Sequence, residues 1–267
     1  MTDSPIRVMG IVNVTPDSFS DGGSLSTLQA AVDHTRFLIA SGADIIDIGG
    51  ESTRPFADPV NLNEELERTI PLINAIRTFS DIPISIDTRK AEVARQALAA
   101  GASLINDVSA LRGDPEMIAL AADSSAELII MHMQGTPDTM QVDPRYEDVV
   151  GEICDFFTER LTTLAAAGID PARIIVDPGI GFGKRLQHNL SLIKHIDRFA
   201  ELGRPVLLGH SRKRFLGDLT GCTPQDCDMA TAVISALCLD KVSLLRVHDV
   251  TATRQALQVA QAISRAD

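Results

Sequence analysis

The chain has 267 residues, 45% of them hydrophobic, with 24 Lys plus Arg against 36 Asp plus Glu and a formal net charge of −12. This length and hydrophobic share exclude a disordered chain and suit one large α/β domain over 1–267 better than two small ones. The acidic balance argues against nucleic acid or an anionic membrane as the main partner, although Arg54, Arg212, Lys213, Arg214, Arg246 and His248 allow a local cationic pocket.

Short, non-alternating apolar runs predict parallel strands buried on both faces at Arg7–Val14, Ile45–Ile48, Ile82–Ile86, Ser103–Asn106, Leu128–His132, Ile174–Val176, Val206–Leu208 and Leu244–Val247. Segments with helical spacing lie between and after them: Leu28–Ala40, Glu64–Phe79, Lys90–Ala100, Pro115–Asp123, Tyr146–Ala167, Leu190–Leu202, Asp228–Leu239 and Thr251–Ser264. Asp114-Pro115 opens one helix, and Gly42, Gly101, Gly168 and Gly203 stand just past the ends of others. Eight β-then-α units without a composition break predict a single (β/α)₈ barrel. The alternative is a doubly wound open sheet, but no Gly-x-Gly-x-x-Gly turn follows the first strand. The four cysteines show no Cys-x-x-Cys spacing and read as reduced thiols. No signal peptide precedes the first apolar run, and no apolar stretch approaches 18 residues, so a soluble cytoplasmic protein is expected.

Barrel enzymes carry their chemistry where strands end and the following loops begin. Here those positions hold Asn13, Asp47, Asp87, Asn106, His132, Asp177, His210-Ser211-Arg212-Lys213 and Arg246-Val247-His248. Asp87, Asn106 and Asp177 are short acceptors of the kind that a flat heterocycle with amino and lactam N–H groups requires, and Lys213 supplies a matching donor. Taken singly, each Asp equally suits a cap on the next helix. Arg246 and His248 alternate, so both project to one side, where with Arg54 they suit a phosphate or diphosphate. Salt bridges from Arg246 to Asp47 or Asp249 are the other reading. Asn13 is a weak ligand that suits a Mg²⁺ otherwise bound by water and phosphate oxygens. Ser211-Arg212-Lys213-Arg214 ahead of Phe215 reads either as an anion site, for example for a carboxylate, or as a solvated basic patch. Phe182, flanked by glycines, and Phe19 are displayed on loops and with Pro55 form the walls of an aromatic slot. A Walker loop, a Gly-x-Ser-x-Gly elbow and a His-Glu-x-x-His site are all missing. His34, His188 and His195 read as structural or solvent-exposed.

The chain resembles the dihydropteroate synthases over nearly its whole length. The motifs that carry the resemblance run from Gly10 through Asn13-Val14-Thr15-Pro16-Asp17-Ser18-Phe19 to Gly23, then Gly49-Gly50-Glu51-Ser52-Thr53-Arg54-Pro55 and Ser85-Ile86-Asp87-Thr88. They continue through Ile105-Asn106-Asp107, Met131-His132-Met133-Gln134-Gly135, Asp177 to Lys184, Ser211-Arg212-Lys213 and Arg246 to Val250. The resemblance implies a pterin pocket at Asp87, Asn106, Asp177 and Lys213 with Arg246 over the ring. It implies diphosphate contacts at Asn13 (with Mg²⁺), Thr53, Arg54, Arg246 and His248. It implies a p-aminobenzoate site at Ser211 and Arg212 for the carboxylate and at Phe19, Pro55 and Phe182 for the ring. Catalysis would then rest on Asp87, Lys213, Arg246 and His248, the substrates being dihydropterin diphosphate and p-aminobenzoate. A homodimer paired through late helices is expected, Ala230–Leu239 and Ala252–Ile263 being apolar enough for an interface. Phe56 departs from the family, which usually has a small residue there, and either packs outward without effect or narrows the aryl slot and alters sulfonamide affinity.

Two rivals remain: a methyltetrahydrofolate-dependent corrinoid methyltransferase on the same barrel, and a non-catalytic pterin-binding protein. The first has no use for Thr53-Arg54-Pro55 and Ser211-Arg212-Lys213. The second predicts loss of a clamp residue, and none is lost.

Overall fold

A computed structural model describes residues 6–14, 24–52, 59–135 and 139–266. Its strands are β1 (Arg7–Asn13), β2 (Ile45–Gly49), β3 (Ile84–Asp87), β4 (Leu104–Asp107), β5 (Glu127–Met131), β6 (Ile174–Asp177), β7 (Leu207–Leu208) and β8 (Leu244–Val247). All pair in parallel in the order β6-β5-β4-β3-β2-β1-β8-β7, and a bridge from Val176 to Val206 joins the two ends of that order into a barrel. The helices are α1 (Ser24–Ala40), α2 (Leu62–Arg77), α3 (Ala91–Ala99), α4 (Met117–Asp123), α5 (Val149–Ala166), α6 (Leu186–Lys194), α7 (Arg214–Thr220), α8 (Asp228–Leu237) and α9 (Val250–Ser264).

The expected (β/α)₈ architecture is therefore present, with most boundaries moved by a few residues. One helix differs in kind. The segment predicted as Leu190–Leu202 is α6, which begins earlier at Leu186, followed by a separate 3₁₀ stretch, Ile196–Leu202. His188 Nδ1 accepts the Arg185 N–H at 3.2 Å and so fixes the earlier start. Beyond His195 the buried residues are Ile196 and Phe199, an i,i+3 pair that the tighter 3₁₀ winding keeps on one face. Asp148 caps α5 at Val150 and Gly151, so that helix starts later than the apolar spacing suggested.

Strand periodicity builds the site. Met9, Ile45, Leu104, Ile129, Ile175, Leu207 and Leu244 form one buried cluster inside the barrel, contributed by every strand except β3. A second, larger cluster fills the layer between strands and helices. Side chains repeat on one face every second residue. Two positions beyond the inner plug therefore come Asp47, Asn106, Asp177 and Arg246, all facing the mouth above an apolar floor. Asp87 joins them from β3, where it pairs in register with Gly49 on one side and Asn106 on the other.

Candidate active site

The inward residues of the upper layer form one charged network. Arg246 Nε donates to Asp47 Oδ2 at 2.6 Å, and its Nη2 donates to Asp87 Oδ2 at 2.8 Å. Asn106 Nδ2 lies 3.3 and 3.4 Å from the two Asp47 carboxylate oxygens. Asp177 Oδ1 accepts the Gly179 N–H at 2.8 Å. Lys213 Nζ donates to the Ile180 carbonyl and stands 4.3 Å from the centre of the Phe182 ring. Two glycines keep the space between these groups open. A Cβ on Gly49 would come 3.4 Å from Asn13 Oδ1 and 3.6 Å from Asp87 Cβ, and one on Gly209 would come 3.4 Å from Asp177 Oδ2.

Burial sets the charge states. It pushes the Asp87 carboxyl up to about 7, Arg246 pulling down while Asp47, Glu65 and Asp107 push further up. Asp177 is likewise raised by burial, against Lys213. Lys213 is lowered to about 8 by burial, with Asp177 as its main support. Arg246 is held firmly charged: the two carboxylates outweigh its burial.

At the outer side of the mouth the Ser211 hydroxyl lies 3.0 Å from His248 Nδ1 and accepts the His248 N–H at 3.2 Å. Arg212 has φ +56 and gives two hydrogen bonds to Asp228, at 2.8 and 2.6 Å. The structure thus brings Asp87, Asn106, Asp177, Lys213 and Arg246 together, with Phe182 beside Lys213. It turns the Arg212 guanidinium towards α8. Phe19, Thr53, Arg54, Pro55 and Phe56 lie outside the described residues.

Asp47 stands among the strand-end residues of the sequence, whereas Glu65 and Lys90 do not. Asp47, fully buried, is the nearest partner of Arg246, so one of the two salt bridges considered for that arginine exists, together with its contact to Asp87. The parity of Ile45 on β2 was the available signal. Asp87 does not cap α3, whose first N–H, on Ala91, goes to Asp114 instead. Glu65, with no exposed surface, and Glu51 both bind Lys90, and Thr88 Oγ1 donates to Glu65 at 2.6 Å. These contacts brace the loops that follow β2 and β3. Glu65 lies on the inner face of α2, and its distance from the strands in sequence hid its role.

Residues 9–248 match the family model described as pterin binding enzyme. A dihydropteroate synthase of Synechocystis sp. is 47% identical over 263 residues, covering 97% of this chain and 90% of the relative. The chain belongs to the dihydropteroate synthase family. A Xanthomonas albilineans dihydropteroate synthase solved with 4-aminobenzoic acid superposes with a TM-score of 0.93 at 48% identity, covering 100% of this chain and 96% of the other. The same organism's enzyme in complex with 7,8-dihydropteroate gives 0.90 at 45% identity, covering 100% and 97%. Membership in the dihydropteroate synthase family makes this chain a transferase and does not favour the corrinoid methyltransferase or the non-catalytic binder.

Proposed function

We propose that this barrel mouth joins 6-hydroxymethyl-7,8-dihydropterin diphosphate to p-aminobenzoate, giving 7,8-dihydropteroate and diphosphate. The observation that carries this reading is the convergence of Asp87, Asn106, Asp177, Lys213 and Arg246 on one rim, with open space left by Gly49 and Gly209. Buried carboxylates and an amide meet the amino and lactam N–H groups of the pterin edge, and Lys213 meets a ring acceptor. Arg246, held flat by two carboxylates, covers the ring and points charge at the diphosphate.

The bond from the pterin methylene to the diphosphate oxygen breaks, and its electron pair leaves with the diphosphate. The methylene cation that remains is delocalised into the ring and faces Asp87. The arylamine nitrogen then attacks and releases one proton. An arylamine is already nucleophilic, so no Ser, Cys or His nucleophile is needed. Thr53, Arg54, Arg246 and His248 hold the leaving diphosphate. Phe19, Pro55 and Phe182 line the aryl slot. Ser211 and Arg212 take the carboxylate, Arg212 trading part of its grip on Asp228.

Mg²⁺ fits the donor set. Among the described residues no group of three or more His, Cys, Asp or Glu could cage a metal, and Asn13 offers a neutral amide oxygen beside the space at Gly49. Such a donor suits an ion held mainly by diphosphate and water, and when bound the ion would neutralise charge on the departing diphosphate. The working form is proposed as a homodimer. Met229, Val233 and Leu237 on α8 and Val259 and Ile263 on α9 are each more than half exposed, and the two helices pack side by side. No helix among the described residues is long and apolar enough to cross a membrane, and the four cysteines are free thiols, which suits a reducing cytoplasm.

The test is release of diphosphate from dihydropterin diphosphate, with and without p-aminobenzoate, in Mg²⁺ and in chelator. Mg²⁺-dependent release coupled to dihydropteroate is expected. Pterin binding without turnover would end the synthase reading.

A further inference from the structure

The loop that follows β6 is held in an unusual way. Its four consecutive carbonyls, from Ile180 to Gly183, each accept a hydrogen bond from a different side chain. Lys213 Nζ takes Ile180, Gln141 Nε2 takes Gly181 at 2.5 Å, Lys184 Nζ takes Phe182 at 2.8 Å, and the Tyr146 hydroxyl takes Gly183 at 3.0 Å. Gly179, Gly181 and Gly183 have φ of +71, +84 and +62, and a Cβ on Gly179 would sit 2.0 Å from the His132 carbonyl oxygen. These angles favour glycine, and the approach at Gly179 requires it.

Lys184 is the unexpected member of this set. Its side chain is buried, yet it forms no salt bridge with any carboxylate among the described residues. Its Nζ instead meets three acceptors: the Phe182 carbonyl at 2.8 Å, His132 Nδ1 at 3.1 Å and the His132 carbonyl at 3.3 Å. Three acceptors match the three protons of an ammonium group. His132 can accept only as the neutral ring protonated on Nε2, and burial with Lys184 and Arg112 nearby lowers its pKa to about 3. Burial lowers the Lys184 pKa, Lys213 pushing the same way and Asp177 opposing, and the three acceptors around Nζ offset the cost of burying a polar group that a hydrophobic residue would not carry.

We propose that Lys184 is a positioning residue for the p-aminobenzoate subsite. It pins the backbone of Phe182 to the end of β5 and so fixes the Phe182 ring against Lys213. The inference rests on the synthase reading, because it assigns the slot at Phe182 to the aryl substrate. On the pterin side, Asp87 and Asn106 stand on β3 and β4 away from this loop, while Asp177 and Lys213 touch it only through Gly179 and Ile180, ahead of the Phe182 carbonyl that Lys184 holds. Losing Lys184 therefore affects the two substrates unequally.

The chain has a single tyrosine and no tryptophan, so Tyr146, at the far end of the clamped run, is a built-in reporter. Burial holds its phenol well above the ordinary value. Three variants form the test: Lys184→Met removes the three donors, His132→Leu removes one acceptor, and His132→Asn keeps an acceptor in place of Nδ1. Lys184→Met is expected to raise KM for p-aminobenzoate on the order of tenfold, with KM for dihydropterin diphosphate within about twofold of wild type. Its Tyr146 absorbance titration is expected to move down toward the ordinary phenol range near ~10. His132→Leu is expected to show both effects more weakly, and His132→Asn to restore wild-type behaviour. An equal rise in both KM values, or an unmoved Tyr146 titration, overturns the proposal. Should Lys184→Met fail to fold, the contrast between the two His132 variants decides. Should the wild type make no dihydropteroate, the synthase reading fails, and the Tyr146 titration alone decides whether Lys184 orders the loop.

Discussion

Arg246 and Asp47 meet at 2.6 Å inside the barrel although 199 residues separate them in the chain. They come from β8 and β2, the two neighbours of β1. The contact fixes the guanidinium plane while its second edge binds Asp87 at 2.8 Å. Asp47→Ala leaves a largely but not fully buried arginine with one partner fewer, and breaking such a pair costs up to about 3 kcal/mol. The expected outcome in urea denaturation is a midpoint shifted down with the slope unchanged. Turnover is expected to fall as well, because Arg246 loses its orientation. Asp47→Asn, which keeps the shape, should lose less stability.

The site should also titrate near neutrality. The Asp87 carboxyl is raised to about 7 by burial, and Lys213 is lowered to about 8 by burial. Pterin N–H groups need the ionised carboxylate, and the ring acceptor needs the ammonium form. The expected profile of kcat/KM for dihydropterin diphosphate is a bell with its acid limb near 7 and its alkaline limb near 8. For stability the sign is opposite to that of an ordinary salt-bridged acid. The folded protein holds the Asp87 proton more tightly than the unfolded chain, so the Asp87 contribution declines as pH rises from about 4 to about 7. An acid limb below pH ~5 in wild type would refute a raised Asp87.

Asn13→Ala should raise the Mg²⁺ concentration needed for half-maximal rate, with little change in thermal stability, since Asn13 lies at a partly exposed strand end. A Mg²⁺ titration of initial rates measures this directly. An unchanged Mg²⁺ requirement would remove Asn13 from the metal site.

The exposed apolar faces of α8 and α9 predict the oligomer. Val233→Glu places a charge amid Met229 and Leu237, and light scattering should then report a mass near that of one 28.7 kDa chain instead of two. A wild-type mass of one chain would dismiss the dimer.

Aryl recognition gives a further check. Of the two readings of Phe56, a side chain that narrows the aryl slot predicts that Phe56→Gly changes sulfonamide inhibition relative to p-aminobenzoate affinity. Inhibition constants measured side by side with KM would show it, and an unchanged ratio would end the idea.

Much of the architecture was present in the linear pattern. Short apolar runs bounded by polar clusters suit strands buried on both faces, and their alternation with helical spacing suits a parallel α/β fold, which the missing Gly-x-Gly-x-x-Gly turn directs toward a barrel. The polar residues at strand ends were legible for the same reason: the period-2 alternation that seats Leu104, Ile175 and Leu244 in the plug lifts Asn106, Asp177 and Arg246 to the rim. The sequence also held the family motifs, and with them the chemistry. What it did not hold was which groups pair. The Arg246–Asp47 contact, the Glu65–Lys90 brace, the turn of Arg212 to Asp228 and the Lys184–His132 clamp all join residues far apart in the chain. Their partners depend on strand register and helix packing. Burial, which sets the pKa values of Asp87 and Lys213, is a property of the closed barrel and of no single residue.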